Sequence, residues 1–264
     1  MTFRQMLEEL DTSFLRNAEK CTSFNFPKGT FEKLDNKEEV RHLINKHWLF
    51  DIEPVNFTNM NEGNLKEGVK LLKNSKNFLH LYTYTPKGIG PGEVMTYYLF
   101  DDVKLGGGKS AGVDVICSAG EFEIKDVVPE NDSSIYGKGK FVKNFKLGGT
   151  KDLAPLITKL RKLKQKAIDD GKITGKSAKA KEVGRNHYKV FVEYYTQEWN
   201  KILNEYQTIA YNYFKDENVI FFANKNSAGY KTGDVVYFGS INKDNIFMDN
   251  QTAGTIKPII MISK

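Results

Sequence analysis

The chain has 264 residues, 40% hydrophobic and 27% charged, with 22 Gly, 7 Pro and a formal net charge of +6. That is enough apolar material for a core, so wholesale disorder and collagen-like repeats are excluded, and no apolar run approaches the ~18 residues of a transmembrane helix. Cys21 and Cys117 lie far apart, and His42, His47, His80 and His187 fall in no ligand spacing, which excludes a disulfide framework and a zinc site.

The amino-terminal stretch is polar and amphipathic, with no apolar signal-peptide segment, so secretion is not expected. Phe3, Met6, Leu7, Leu10 and Phe14 recur at helical spacing. Asn36 is placed to cap a second helix, in which Val40, Leu43, Ile44 and Trp48 share a face, and a third helix is predicted through Leu65–Leu72. Gly88, Gly90 and Pro91 then break the pattern. Pro91 suits the first position of a new helix, which places Glu93 in its first turn near the positive end of the dipole. Val94, Tyr97, Tyr98 and Leu99 continue it, and Asp101 and Asp102 end it as exposed residues.

LGGGKSAG reads as a flexible loop, followed by two strand-like runs, VDVIC and EFEIKDVV, joined at Ser118–Gly120 as a β-hairpin. GKGKFVKNFKLGG reads as a loop or edge segment. Leu153, Leu156, Ile157, Leu160 and Leu163 define the apolar face of a helix whose other faces carry Lys159, Arg161, Lys162, Lys164 and Lys166. IDDGKITGKSAKAKEVG is a polar connection. One long helix is predicted from Tyr188 through Phe191, Tyr195, Trp199, Ile202, Tyr206 and Ile209 to Tyr213, its aromatic stripe serving packing. The last fifty residues alternate apolar and polar around Gly and Asn turns, as strands do. The expected organisation is a helical region over 1–85, a core with a basic helical segment over 86–217, and a β-rich region over 218–264 packed on that core.

The chemical signal is the hairpin SAGVDVICSAGEFEIKDV. Side chains on a strand alternate faces, so Glu121, Glu123 and Lys125 share one face while Phe122 and Ile124 enter the core. A short antiparallel hairpin brings Asp114 beside Glu123. Two carboxylates and an ammonium at one sheet edge suit a hard divalent ion that takes oxygen ligands, with a lysine able to orient a water or neutralise developing charge on phosphorus. Glu121 either adds a carboxylate or ends the strand in solvent, and the second reading is favoured.

At these residues the sequence resembles the PD-(D/E)XK nuclease superfamily: Asp114 at the hairpin start, Glu123-Ile124-Lys125 on the next strand, and Glu93 at an earlier helix start in GIGPGEVM. Val113 stands where the literal motif has Pro. The succession GxGxGE, Gly-rich loop, G-x-D, E-x-K also looks like nucleases encoded by tailed bacteriophages. The resemblance covers residues 88–128. It implies an α/β restriction-endonuclease-like core, a central mixed sheet flanked by helices, and a metal-dependent endodeoxyribonuclease. Asp114 and Glu123 would then be ligands of Mg2+ or Mn2+, Lys125 the catalytic lysine and Glu93 an accessory carboxylate. The implied setting is a host-cell cytoplasm or a virion, with no membrane and with a homodimer compatible. A DNA-binding structural protein of the virion, without turnover, is the alternative.

The charge distribution supports a polyanionic partner. Residues 138–185 hold roughly fifteen Lys and Arg against about four acids. Lys159, Lys162 and Lys166 recur at helical spacing as a candidate stripe for DNA phosphates, and Lys104, Lys109 and Ser110 lie in the loop before the hairpin. GGGKS is not a P-loop, because Val103 stands where the pattern needs Gly and a strand follows instead of a helix. His80 and His187 are solitary and read as structural.

Overall fold

The computed structural model describes residues 57–75, 78–79, 82, 90–105, 113–133, 135–147, 153–252 and 254–263. The two predicted amino-terminal helices, Cys21, His42, His47, His80 and the loop bearing Lys109 and Ser110 lie outside these residues. In chain order the elements are α1 (Glu62–Leu72), α2 (Pro91–Leu99), β1 (Lys104–Leu105), β2 (Val115–Cys117), β3 (Gly120–Ser133), β4 (Gly137–Lys143), α3 (Leu153–Asp169), α4 (Gly175–Lys179), α5 (Arg185–Tyr194), α6 (Thr196–Phe214), β5 (Asn218–Ala223), β6 (Val235–Gly239), a 3-10 turn (Lys243–Asn245), β7 (Ile246–Thr252) and β8 (Thr255–Ser263). The chain is α/β, and no helix among the described residues is long and apolar enough to cross a membrane.

The chain divides into two compact units, one of residues up to Asp126 with Glu217–Gly239, the other of Val127–Asp216 with Ser240–Lys264. In the first, β1 pairs with β2 and β2 with β3, both antiparallel, while β5 pairs with β3 and β6. Helix α1 starts where the Asn61 side chain accepts the Asn64 N–H at 2.9 Å, satisfying one of the donors that a helix start leaves open. It buries Leu65, Val69 and Leu72. Helix α2 is apolar on all sides and buried on all sides, from Gly92 to Leu99, except at Glu93. Gly92 allows its close approach to the strands, since a Cβ there would lie 2.5 Å from Phe222 and 2.8 Å from Ile124. The core around it includes Val94, Tyr97, Tyr98, Leu99, Val115, Phe122, Ile124, Ile220 and Phe222.

In the second unit the remainder of β3 pairs with β4, β4 with β8, and β8 with β7, all antiparallel. The segment GKGKFVK, read from sequence as a loop or edge, is thus an interior strand. Phe141 and Val142 are fully buried, and the Lys residues at 138, 140 and 143 masked the strand pattern. Helix α3 buries the predicted face, Leu153, Leu156, Ile157, Leu160 and Leu163. It also buries Lys164, expected at the surface, whose ammonium donates to the carbonyls of Ala180 and Glu182.

The single helix predicted across Tyr188–Tyr213 is two. Tyr195 leaves helical geometry at φ −134° and ψ 39°, its hydroxyl donating to Asp170 at 2.6 Å. The aromatic spacing runs through this break because Tyr188 and Phe191 of α5 meet Trp199 of α6, with ring centroids 4.8 and 6.0 Å apart.

Candidate active site

The hairpin register sets the geometry. Val115 pairs with Phe122, and the Asp114 N–H donates to the Phe122 carbonyl at 3.0 Å, so Asp114 lies across from Glu123. Asp114 is further pinned by accepting the Ile124 N–H on Oδ2 at 2.7 Å. Lys125 reaches both acids, ion-paired to Glu123 and 3.5 Å from Asp114 Oδ2. The Asp114 and Glu123 carboxyls are close enough to hydrogen-bond with each other. Glu123 is only 1% exposed. Pro91 opens α2 as predicted, and Glu93, at its third position, accepts the Gly90 N–H at 3.1 Å.

These groups feel one another. Burial first, then the charge of Asp114, pushes the Glu93 carboxyl up to about 8, against the opposing pull of the Gly90 N–H and Lys125. Burial raises Asp114 too, although Lys125 and the Ile124 N–H oppose it. The structure therefore brings Asp114, Glu123 and Lys125 together, with Glu93 near enough to feel the charges of Asp114 and Lys125. Glu121 is exposed and pairs across from Ile116, the solvated position favoured for it.

Two acids joining this region were not singled out in the sequence. Glu217, just before β5, is pushed up to about 7 by burial and by the charges of Glu123, Asp114 and Glu121. Its Oε2 is buried without a hydrogen bond. Asp126, the residue after Lys125, rises to about 7 through burial, opposed by the Gly92 N–H and Lys125. Glu217 belongs to no local motif and meets the hairpin only through β5. Asp126 follows directly on the E-x-K run, which was the available signal.

The donor set fits a hard divalent ion. It offers carboxylate oxygens from Asp114 and Glu123, while Glu93 feels the charge of Asp114 and Glu217 the charges of both, so four acidic groups stand against Lys125. No cluster of three or more His, Cys, Asp or Glu side chains among the described residues is arranged as a ready metal cage. Mg2+ typically uses one or two carboxylates and keeps several waters.

Other sequence candidates fall elsewhere. Lys104 is exposed on β1. Lys159 and Lys166 are also exposed but ion-paired with Glu205 and Glu198 of α6, at 2.6 and 2.9 Å, whereas Lys162 makes no ion pair among the described residues. Asp101 is exposed as expected. Asp102 is instead a structural acceptor, taking the Met60 N–H at 3.2 Å and the Ser118 N–H at 3.1 Å. His187 is buried, and its Nδ1 accepts the Gly184 N–H at 3.0 Å, so the proton sits on Nε2 and points to the Ser177 carbonyl at 3.1 Å. That tautomer cannot take a proton from Ser177, and the pair is a clamp on the start of α5. Comparison with protein-family models, curated proteins and solved structures finds no match.

Proposed function

We propose that the chain is a metal-dependent endodeoxyribonuclease that hydrolyses phosphodiester bonds at the hairpin site. The observation that carries this reading is the placement of Lys125 within ion-pair reach of both Asp114 and Glu123, with Glu93, at the start of α2, feeling the charges of Asp114 and Lys125. An ion pair serving stability alone would be balanced. Here the acids outnumber the base, which fits a place for a cation and a phosphate.

Asp114 and Glu123 are the residues that would hold Mg2+ or Mn2+. The ion, when bound, would neutralise the scissile phosphate and acidify a water. Lys125 then contributes from beside the carboxylates. Its ammonium can hold the attacking water in line and donate a hydrogen bond to the non-bridging oxygens as charge develops on them. Glu93, fixed by the Gly90 N–H and near enough to feel Asp114, can help hold that water in place. Burial of Glu123 keeps bulk water from screening these interactions.

The test is nicking of supercoiled plasmid with Mg2+, with excess EDTA and with an Asp114→Ala control. The reading expects cleavage in the first case alone. Robust cleavage in EDTA would overturn it, and DNA binding without nicking would leave a structural DNA-binding role.

A further inference from the structure

Helix α2 begins without a capping side chain of its own. Its N-cap is Gly90, at φ −92° and ψ 166°, and the first turn of any helix leaves N–H groups in need of acceptors. One acceptor comes from within the helix, Glu93 Oε1. Another comes from β3, where the Asp126 carboxylate accepts the Gly92 N–H. Gly90 is what makes room for it. A Cβ on Gly90 would lie 3.1 Å from Asp126 Oδ2 and 3.5 Å from Glu93 Oε1, so the cap from the strand occupies the space that a cap from the helix itself would need.

The arrangement is costly for mere stability. The other oxygen of Asp126, Oδ1, is buried with no hydrogen bond, and a buried unsatisfied acceptor forfeits its hydration. Its position gives it another use. Asp126 directly follows Lys125 on the strand that also carries Glu123. Consecutive residues on a strand face opposite ways, so β3 presents chemistry on one face and grips the start of α2 with the other.

We infer that Asp126 is a positioning residue, capping α2 from the neighbouring strand and so holding Glu93 in register with Asp114 and Lys125. Its catalytic consequence rests on the nuclease reading, whereas its capping role does not. Asp126 acts as a hydrogen-bond acceptor here, and the amide oxygen of Asn can do the same. A serine at position 90 can cap in cis once the carboxylate is removed.

The experiment uses the full chain with Asp126→Ala, Asp126→Asn and the double variant Asp126→Ala/Gly90→Ser, each checked for folding by its circular dichroism melt. Two quantities are read: the Mg2+ concentration for half-maximal nicking, and amide hydrogen exchange across Gly92–Val94. Asp126→Ala is expected to raise the half-activating Mg2+ by about 10-fold or more, as loss of a group that supports a metal site from outside its ligands does, with the KM for DNA unchanged. Its first-turn amides should exchange faster. Asp126→Asn should stay close to wild type in both quantities, and Gly90→Ser should restore much of what Asp126→Ala lost. A wild-type Mg2+ requirement and wild-type exchange in Asp126→Ala would overturn the inference, as would an Asn variant as defective as the Ala variant. If wild-type protein nicks nothing, the nuclease reading fails by itself, and hydrogen exchange still decides whether Asp126 caps the helix.

Discussion

Two groups of partly buried charges, one in each unit, differ in how they are balanced. In the unit formed by Val127–Asp216 and Ser240–Lys264, Arg185 donates to Glu130 at 2.8 Å and to Asp249 at 2.9 Å, and Lys143 pairs with Glu130. Two cations meet two anions. Burial alone would push the Glu130 carboxyl up, but hydrogen bonds from Lys143 and Arg185 and their charges outweigh it and hold Glu130 below its ordinary value. At the hairpin the sign reverses. Burial first, and then the charges of neighbouring acids, raise Glu93 to about 8 and Glu217 to about 7, and the pull of Lys125 does not outweigh them. A matched network leaves no charge for a ligand to answer, and the unmatched acids at the hairpin are the pattern on which the proposed cation site rests.

The sharpest way to break this comparison is to remove the central cation of each group. Lys125→Ala should lower nicking by about 10²–10⁴-fold, the range for loss of a group handling a proton or developing charge, while DNA affinity in filter binding stays nearly intact. One phosphate-proximal charge among many adds little to binding. A parallel loss of affinity would show Lys125 to be a docking residue.

Arg185→Ala should do the opposite. Removing Arg185 leaves Asp249 uncompensated and Glu130 with Lys143 alone, and should cost about 3 kcal/mol in urea unfolding, the low end of the range because Arg185 keeps 20% exposure. Per folded molecule, nicking should not change. If Arg185→Ala proved neutral for stability, the balanced network would lose its structural role.

The network also carries a signature in pH. A carboxyl with a lowered folded pKa binds its proton more weakly than in the unfolded chain. Its stabilising contribution is therefore present above the unfolded pKa, about 4.3, and is lost as pH falls through the folded value. Wild-type protein should lose this part of its stability on the acid side of pH 4.3, and Glu130→Gln should flatten that limb in unfolding titrations at successive pH values. An acid limb of the same steepness in the variant would assign it to other carboxylates.

Legibility in the sequence followed the range of the interactions. The Glu93 turn, the Asp114–Glu123–Lys125 hairpin and the buried face of α3 rest on period and turn chemistry within about twenty residues, and each could be read locally. Glu217 could not be read, because it is brought in by β5 from far along the chain. The break at Tyr195 was hidden since aromatic spacing continues through it, and the β4 strand was hidden by lysines along a segment whose Phe141 and Val142 are buried. Lys164 lay on a face that reads as solvent. It is buried because the carbonyls of Ala180 and Glu182 receive its ammonium, a contact no periodicity encodes.

The smallest expected effect concerns the lysines of α3, and here the structure changes the expectation from the sequence. Lys159, Lys162 and Lys166 form a stripe at helical spacing, and three phosphate contacts would lower the salt-dependence slope by about three units when all are removed. Lys159 and Lys166, however, already face Glu205 and Glu198. Exposed pairs of this kind are weak and screened by water and salt, so a phosphate could break them. Doing so would leave the two glutamates beside the DNA backbone, and their repulsion would offset the gain. Lys162 carries no such penalty. Lys162→Ala alone is therefore expected to lower the slope by about one unit in filter binding across a salt series, and the triple alanine variant should lower it little further. A drop near three units in the triple variant would show that the ion pairs open on DNA. An unchanged slope in both would make the stripe a solvated face and turn the search for phosphate contacts to the 104–109 segment.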